Sequence, residues 1–227
     1  MPLSPTTLTR VSTQWPHISY QEIQEFAEMA CAEPDDFFDQ GSLGICGPVS
    51  VLHALASRSQ EGFLRLIDEV YRNPEKIPQN VREQKRSLVA LLSTYLINQV
   101  NCLMTYTATT SAMDFVSGGI TPDNIRHWMT QFFPQKKIQT YSSYFYGSWN
   151  NALEVNKLWE NTFGNPIVIA FVNAAALQPE SFVIAHKLPG FLVVPAAKGH
   201  FIEITTPFYE NIQGNIEFKA FTWGDLN

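Results

Sequence analysis

Helical and strand patterns occupy different parts of this sequence, and that separation most constrains how the chain can fold. From Ser19 onward apolar residues recur every three or four positions, and Ser19 and Glu22 have the spacing of a capping box. Further helices are predicted at about 61–71, 82–103, 122–133 and 148–162. The last third instead predicts strands, at 166–172, 191–194, 200–205 and 216–223. Helices followed by an antiparallel sheet indicate an α+β fold, not alternating βαβ units.

The chain is long enough for one substantial core. It has 227 residues, of which 45% are hydrophobic. Residues 1–18 are rich in Thr, Ser and Pro, so we expect an irregular N-terminal arm there. Residues 19–227 are predicted to form a single domain, with a helical lobe over about 19–163 and a sheet lobe over about 164–227.

Composition excludes several classes of partner and cofactor. A formal charge of −6 and a pI of about 5.3 do not suggest a nucleic-acid partner. Three cysteines cannot form a disulfide framework, and no metal-binding motif is present, so no cofactor is expected. No apolar run is long enough for a membrane span, and the N-terminus does not resemble a signal peptide. We therefore expect a soluble protein, either cytoplasmic or secreted without a signal peptide.

One cysteine is predicted to lie at the start of a helix. Pro48 is tolerated only in the first helical turn, so Cys46 lies within about a turn of the helix N-terminus. Helix N-termini stabilise a thiolate. Gln40 precedes Cys46 by six residues (46 − 40) on a glycine-containing loop. Its side-chain N–H, with the backbone N–H of Cys46, is predicted to form an oxyanion hole.

The segment Gln40-Gly41-Ser42-Leu43-Gly44-Ile45-Cys46-Gly47 resembles the papain-like cysteine peptidases. Those proteins have a Gln-Gly opening and a cysteine six residues after the Gln, at the start of the central helix. Leu43 stands where plant and lysosomal members have another cysteine, and Gly47-Pro48 replaces their aromatic residue. Cys-Gly-Pro looks more like the bacterial branch, including its effector-type members. The resemblance implies a papain-like fold with Cys46 as nucleophile.

The resemblance also implies a general base at the start of a strand in the C-terminal sheet. His200 lies 154 residues after Cys46 (200 − 46) and opens an alternating apolar strand. His186 is the rival base. His53 follows Cys46 by seven residues on the same helix, about two turns away, so it cannot reach the thiol and is interpreted as packed or capping.

The residue that orients His200 is predicted from hairpin geometry. A turn centred near Ile212 would pair His200 with position 224, because antiparallel partners are equidistant from the turn. Asp225 lies one step from that register and is assigned as the orienter; the alternatives are Thr222 or a backbone carbonyl. Phe221 occupies the place of the Asn expected from the papain-like pattern.

The resulting hypothesis is a cysteine-dependent amide hydrolase, most simply a protease that acts on a protein or peptide. Cys46, His200 and Asp225 form the triad, and Gln40 contributes to the oxyanion hole. A bacterial effector or toxin delivered into another cell fits this pattern. The same apparatus also supports glutamine deamidation or transglutamination. The rival class is a non-catalytic papain-fold binding module, which the presence of Phe221 favours.

Overall fold

The structure is a computed structural model. It describes backbone for residues 14–38, 45–83, 87–100, 106–109, 112–115, 120, 122–138, 156–157, 159, 166–173, 199–210, 212, 216–222 and 225–226.

Besides helical residues at 156–157 and 159, the helices with described bounds lie between residues 20 and 132. They are α1 (Tyr20–Ala32), α2 (Pro34–Phe37), α3 (Cys46–Arg58), α4 (Gln60–Arg72), α5 (Gln79–Arg82), α6 (Leu88–Gln99) and α7 (Pro122–Phe132), with a 3-10 turn at Pro74–Lys76. The capping box at the start of α1 is present: the Ser19 side chain accepts from the Glu22 amide, and the Glu22 carboxylate accepts from the Ser19 amide.

The main sheet is antiparallel and has the strand order β3-β4-β7-β8. Its strands are β3 (Val168–Asn173), β4 (Gly199–Ile204), β7 (Ala220–Thr222) and β8 (Asp225–Leu226). Two hairpins accompany it: β1 (Tyr106–Thr109) with β2 (Ala112–Phe115), and β5 (Tyr209–Glu210) with β6 (Ile216–Glu217).

Helix α3 lies at the centre of the core. Ten consecutive residues, from Gly47 to Ala56, are buried, because α3 is covered by other helices and by strand β4. A helix that is mainly apolar all the way round is buried on all sides, and the polar residues Ser50 and His53 are buried with it. Along β4, Phe201 joins the main core, whereas Ile202 and Ile204 pack on the other face of the sheet.

The structure confirms the predicted α+β class, with helices preceding an antiparallel sheet. Three details differ from the sequence prediction. The helix expected at 82–103 is described as the short α5 and the separate α6, the β1–β2 hairpin was not expected, and the return strand at 216–223 is divided into β6 and β7. The strand predicted at 191–194 and most of the helix predicted at 148–162 lie outside the described residues. Within the described part of the chain, no helix is long and apolar enough to cross a membrane.

Candidate active site

Cys46 is the first residue of helix α3, as the position of Pro48 predicted. Ile45 is the N-cap residue but offers no side-chain cap. The first intrahelical bond runs from the Val49 N–H to the Ile45 carbonyl, at 3.0 Å, and Pro48 has no N–H. The amides of Cys46 and Gly47 therefore have no intrahelical acceptor and are available near the thiol.

The first turn of α3 packs directly on the start of β4. A Cβ built on Gly47 would lie 2.8 Å from Ile120 Cγ2 and 3.3 Å from Phe201 Cδ2. Such distances are too short for a side chain, so glycine is what allows the helix to approach the strand this closely. The large aromatic residue that plant and lysosomal papain-like peptidases carry after the nucleophile would not fit here.

The thiol of Cys46 is half-buried, and its surroundings shift its pKa in both directions. Burial raises its pKa, whereas the backbone amides of Phe201, Gly47 and Cys46 itself lower it, and the net result is a pKa above the ordinary cysteine value. The Phe201 amide is the largest of these lowering influences. Because the amides alone do not offset burial, a cationic group beside the thiol would be needed to bring its pKa below the ordinary cysteine value.

His200 is the second residue of β4, and its backbone pairs with Val172 of β3. It directly precedes Phe201, whose amide reaches the Cys46 sulfur. The structure therefore brings the backbone of position 200 close to the nucleophile helix. The side chain of His200 lies outside the described atoms, so its role as general base stays a prediction.

The backbone around Asp225 differs from the hairpin on which its assignment rested. The observed pairs Glu203–Phe221 and Ile204–Ala220 do centre on residue 212. However, Asp225 belongs to a separate strand, β8, where it pairs with Thr222 of β7. Strand β7 thus separates Asp225 from β4, and with neighbouring strands about 4.8 Å apart the two backbones are roughly 10 Å from each other. Its side chain is not described, so its role as orienter stays a prediction.

The remaining predicted residues cannot be compared with the structure. Gln40, assigned to the oxyanion hole, and the rival base His186 lie outside the described residues. Among the other thiols, Cys31 is half-buried on α1, and burial raises its pKa.

The structure also contains a charge network around the buried side chains of His53 and Glu203, which the sequence interpretation missed. His53 Nδ1–H donates to Glu203 Oε2 at 2.5 Å, and His53 Nε2–H donates to Asp35 Oδ1 at 2.7 Å. Both ring nitrogens face carboxyl groups, an arrangement that favours the doubly protonated imidazolium. The ring of Phe221 stacks on it, with centroids 3.8 Å apart and an interplanar angle of 9°. His53 is therefore packed, as expected, but it does not cap a helix.

The pKa of His53 reflects two opposing influences. Burial is the largest single one and lowers it, but the hydrogen bond and charge of Glu203, followed by those of Asp35, outweigh burial. The pKa therefore lies above the usual histidine value. One signal in the sequence points to this network: on an alternating strand Glu203 shares a face with Phe201, and a carboxylate on a core-facing position needs a buried partner.

No protein-family model, curated protein or solved structure matches this chain. In the described part of the chain, no group of three or more His, Cys, Asp or Glu side chains is arranged to hold a metal ion. The assignment of function therefore depends on the residues around Cys46.

Proposed function

We propose that the protein is a papain-like, cysteine-dependent amide hydrolase in which Cys46 is the nucleophile and His200 the general base. One observation carries the proposal. The thiol at the start of a buried helix contacts the amide of Phe201, the residue that directly follows His200 on β4. A thiol–imidazole pair needs both side chains within hydrogen-bonding reach, and the contact between the start of α3 and β4 brings the backbones of Cys46 and His200 close together.

The chemistry follows from these groups. His200 removes the thiol proton, and the Cys46 sulfur bonds to the carbonyl carbon of an amide. The negative charge on the carbonyl oxygen is stabilised by the backbone N–H of Cys46 and the side-chain amide of Gln40. As the carbon–nitrogen bond breaks, the proton passes from His200 to the leaving amine. Water, deprotonated by His200, then hydrolyses the thioester, which releases the acid and restores the thiol.

The environment of the thiol leaves a specific task for an imidazole. Burial keeps the Cys46 pKa high despite three nearby amides. An imidazolium beside the sulfur would favour the thiolate and so lower that pKa. His200 is next to Phe201 on β4, whereas both ring nitrogens of His53 are already bonded to carboxylates.

Asp225 is proposed as the residue that orients His200, and this is the more demanding part of the proposal. Because β7 lies between β8 and β4, the carboxylate has to reach across a strand. A dyad of Cys46 and His200 with Gln40 needs no such reach, and the Asp225→Ala variant distinguishes the dyad from the triad.

The proposal is tested by the pH dependence of alkylation of the native protein with iodoacetamide, followed residue by residue by mass spectrometry. Cys46 should react before Cys31, and His200→Ala should move the midpoint of Cys46 alkylation to higher pH. Equal labelling of the thiols, or an unchanged midpoint in His200→Ala, would contradict an activated cysteine and favour the binding module.

The reaction class is tested by mass spectrometry of candidate proteins after incubation with wild type or Cys46→Ala. Cleaved fragments identify a protease, which is the outcome we expect. The mass gain of a glutamine converted to glutamate identifies a deamidase, and an amine adduct identifies a transglutaminase. No change relative to Cys46→Ala with any candidate would contradict a hydrolase acting on proteins.

A further inference from the structure

Three side chains of helix α3 bond to strand β4 from a single stripe of the helix. Cys46, Ser50 and His53 follow one another at intervals of four and three residues, so they lie on one face. The Cys46 sulfur contacts the Phe201 amide, and Ser50 Oγ–H donates to the Phe201 carbonyl at 3.2 Å. The third bond joins His53 to Glu203 at 2.5 Å. We call these three contacts the polar seam.

The polar seam lies on the edge of β4 that also pairs with β7. The Thr205 N–H donates to the Lys219 carbonyl at 2.9 Å, and Glu203 pairs with Phe221. In an antiparallel strand, alternate residues direct their N–H and C=O groups toward the same neighbour, so Phe201 directs its groups the same way as Thr205. At Phe201, on that same edge, the Ser50 side chain of α3 bonds to the backbone of β4.

We propose that His53 and Glu203 are positioning residues for Cys46: their buried ion pair fixes the register of α3 on β4 and so holds the thiol against the Phe201 amide. The inference rests on the proposed function only in that Cys46 is the reacting group. Neither His53 nor Glu203 touches the thiol.

The geometry explains why a charged pair, and not an apolar contact, sets this register. Apolar side chains tolerate small sliding movements, whereas a shift of α3 by one residue is about 1.5 Å and exceeds the tolerance of a hydrogen bond. Glu203 is only 1% exposed, so a shift would leave a carboxylate buried without a partner. Asp35 and the ring of Phe221 hold the imidazole from its other sides.

The test is the pH midpoint of Cys46 alkylation by iodoacetamide in His53→Leu/Glu203→Leu. This double variant removes the charges of His53 and Glu203 and keeps an apolar volume, so no buried unpaired charge remains between α3 and β4. Asp35 loses its bond to His53, but its side chain is 49% exposed and stays hydrated. The midpoint should rise by about one pH unit, which corresponds to about tenfold slower alkylation at a fixed lower pH. Trp15→Phe is the control: it removes another buried hydrogen bond, from Trp15 Nε1 to the Tyr71 carbonyl at 3.1 Å, far from the seam in sequence.

A wild-type midpoint in the folded Leu double variant would overturn the proposal, and so would an equal rise in Trp15→Phe, which would indicate general destabilisation. If the Leu variant does not fold, His53→Gln/Glu203→Gln replaces the ion pair with a neutral hydrogen bond of similar size. An intermediate rise in the midpoint is then expected, and a wild-type midpoint would again overturn the proposal.

Measurements in a His200→Ala background separate this inference from the proposed function. The polar seam acts through the Phe201 amide, so the Leu double variant should raise the midpoint further in His200→Ala. If His200→Ala alone has no effect and the Leu variant still raises the midpoint, the inference holds and the proposed general base is wrong. If His200→Ala raises the midpoint and the Leu variant adds nothing, the general base holds and the positioning role is wrong.

Discussion

Replacing Gly47 with alanine tests whether the close approach of α3 to β4 sets the site. The added Cβ would lie 2.8 Å from Ile120 Cγ2, 3.2 Å from Ile120 Cβ and 3.3 Å from Phe201 Cδ2. Non-bonded carbon atoms are most stable about 3.5–4.0 Å apart, so the methyl group overlaps Ile120 by roughly 0.7 Å or more. Either Ile120 moves or the first turn of α3 moves away from the strand.

The cost can be worked out from two opposing effects. Overpacking a buried site costs about 1–3 kcal/mol. Alanine is favoured over glycine by at most about 1 kcal/mol in a helix interior, and by less in the first turn. Gly47→Ala should therefore lower the free energy of unfolding by about 1–2 kcal/mol. Since Cys46 adjoins Gly47, the same movement should draw the thiol away from the Phe201 amide and slow its alkylation.

Urea denaturation of four proteins isolates the contact: wild type, Gly47→Ala, Ile120→Ala and the double variant. Ile120→Ala removes the Cγ2 that the new methyl would strike, so Gly47→Ala should cost much less in that background. Gly62→Ala is a matched glycine in the first turn of α4. Its Cβ would lie 2.8 Å from Ser59 Oγ and 3.2 Å from Leu55 Cδ2, both ends of side chains that can move. Moving the Ser59 hydroxyl weakens its cap bond from the Gly62 N–H, a cost confined to the start of α4. Gly62→Ala should leave Cys46 alkylation unchanged.

Two results would refute this reasoning. One is a Gly47→Ala protein as stable as wild type, with the wild-type rate of Cys46 alkylation. The other is the same loss of stability in the presence and absence of Ile120→Ala, since strictly additive effects would mean that the two residues do not compete for space.

The remaining predictions concern the predicted site residues and the buried histidine. Cys46→Ala should abolish turnover and change the free energy of unfolding by no more than about 1–2 kcal/mol; a larger loss would make it a core residue. Gln40→Ala should lower kcat by about 10²–10³-fold with little change in KM, and a raised KM with intact kcat would reassign it to substrate binding. Asp225→Ala should shift the pH dependence of Cys46 alkylation, whereas superimposable curves would remove Asp225 from the site. The pKa of folded His53 is raised, so its contribution to stability is fully present below about pH 6.5, the unfolded value, and is lost as the pH rises through the folded value. The urea midpoint of the wild type should therefore fall as the pH is raised above about 6.5, and that of His53→Leu/Glu203→Leu should not.

The sequence predicted a structural feature correctly where the residues that determine that feature are close together in the chain. Pro48 identifies the helix start because its missing N–H and fixed backbone angle matter only within a few residues, and α3 begins at Cys46 as expected. The capping box at Ser19 follows from the same kind of short-range signal. The alternating pattern after His200 likewise predicts β4, and the turn centre expected near Ile212 is the midpoint of the Glu203–Phe221 pair.

The features that the sequence did not predict depend on contacts between distant segments. Strand β8 pairs antiparallel with β7, and so short a strand carries little signal against the preference for one longer strand. The bond between His53 and Glu203 joins residues 150 positions apart. Helix periodicity places His53 on a buried face, but it does not tell which strand residue meets it.

The environment of Phe221 weakens the main sequence argument against catalysis. Phe221 stands where the papain-like pattern has Asn, and that substitution favoured a non-catalytic module. In the structure Phe221 is 2% exposed, pairs with Glu203 and stacks on the imidazole of His53. An aromatic ring in this position excludes water from the ion pair, which strengthens the attraction between the charges, and its face attracts the imidazolium directly. The residue at 221 is therefore explained by the charge network, whether or not the protein is an enzyme. The choice between hydrolase and binding module then depends on Cys46 and His200, which thiol alkylation in His200→Ala tests without knowledge of the substrate.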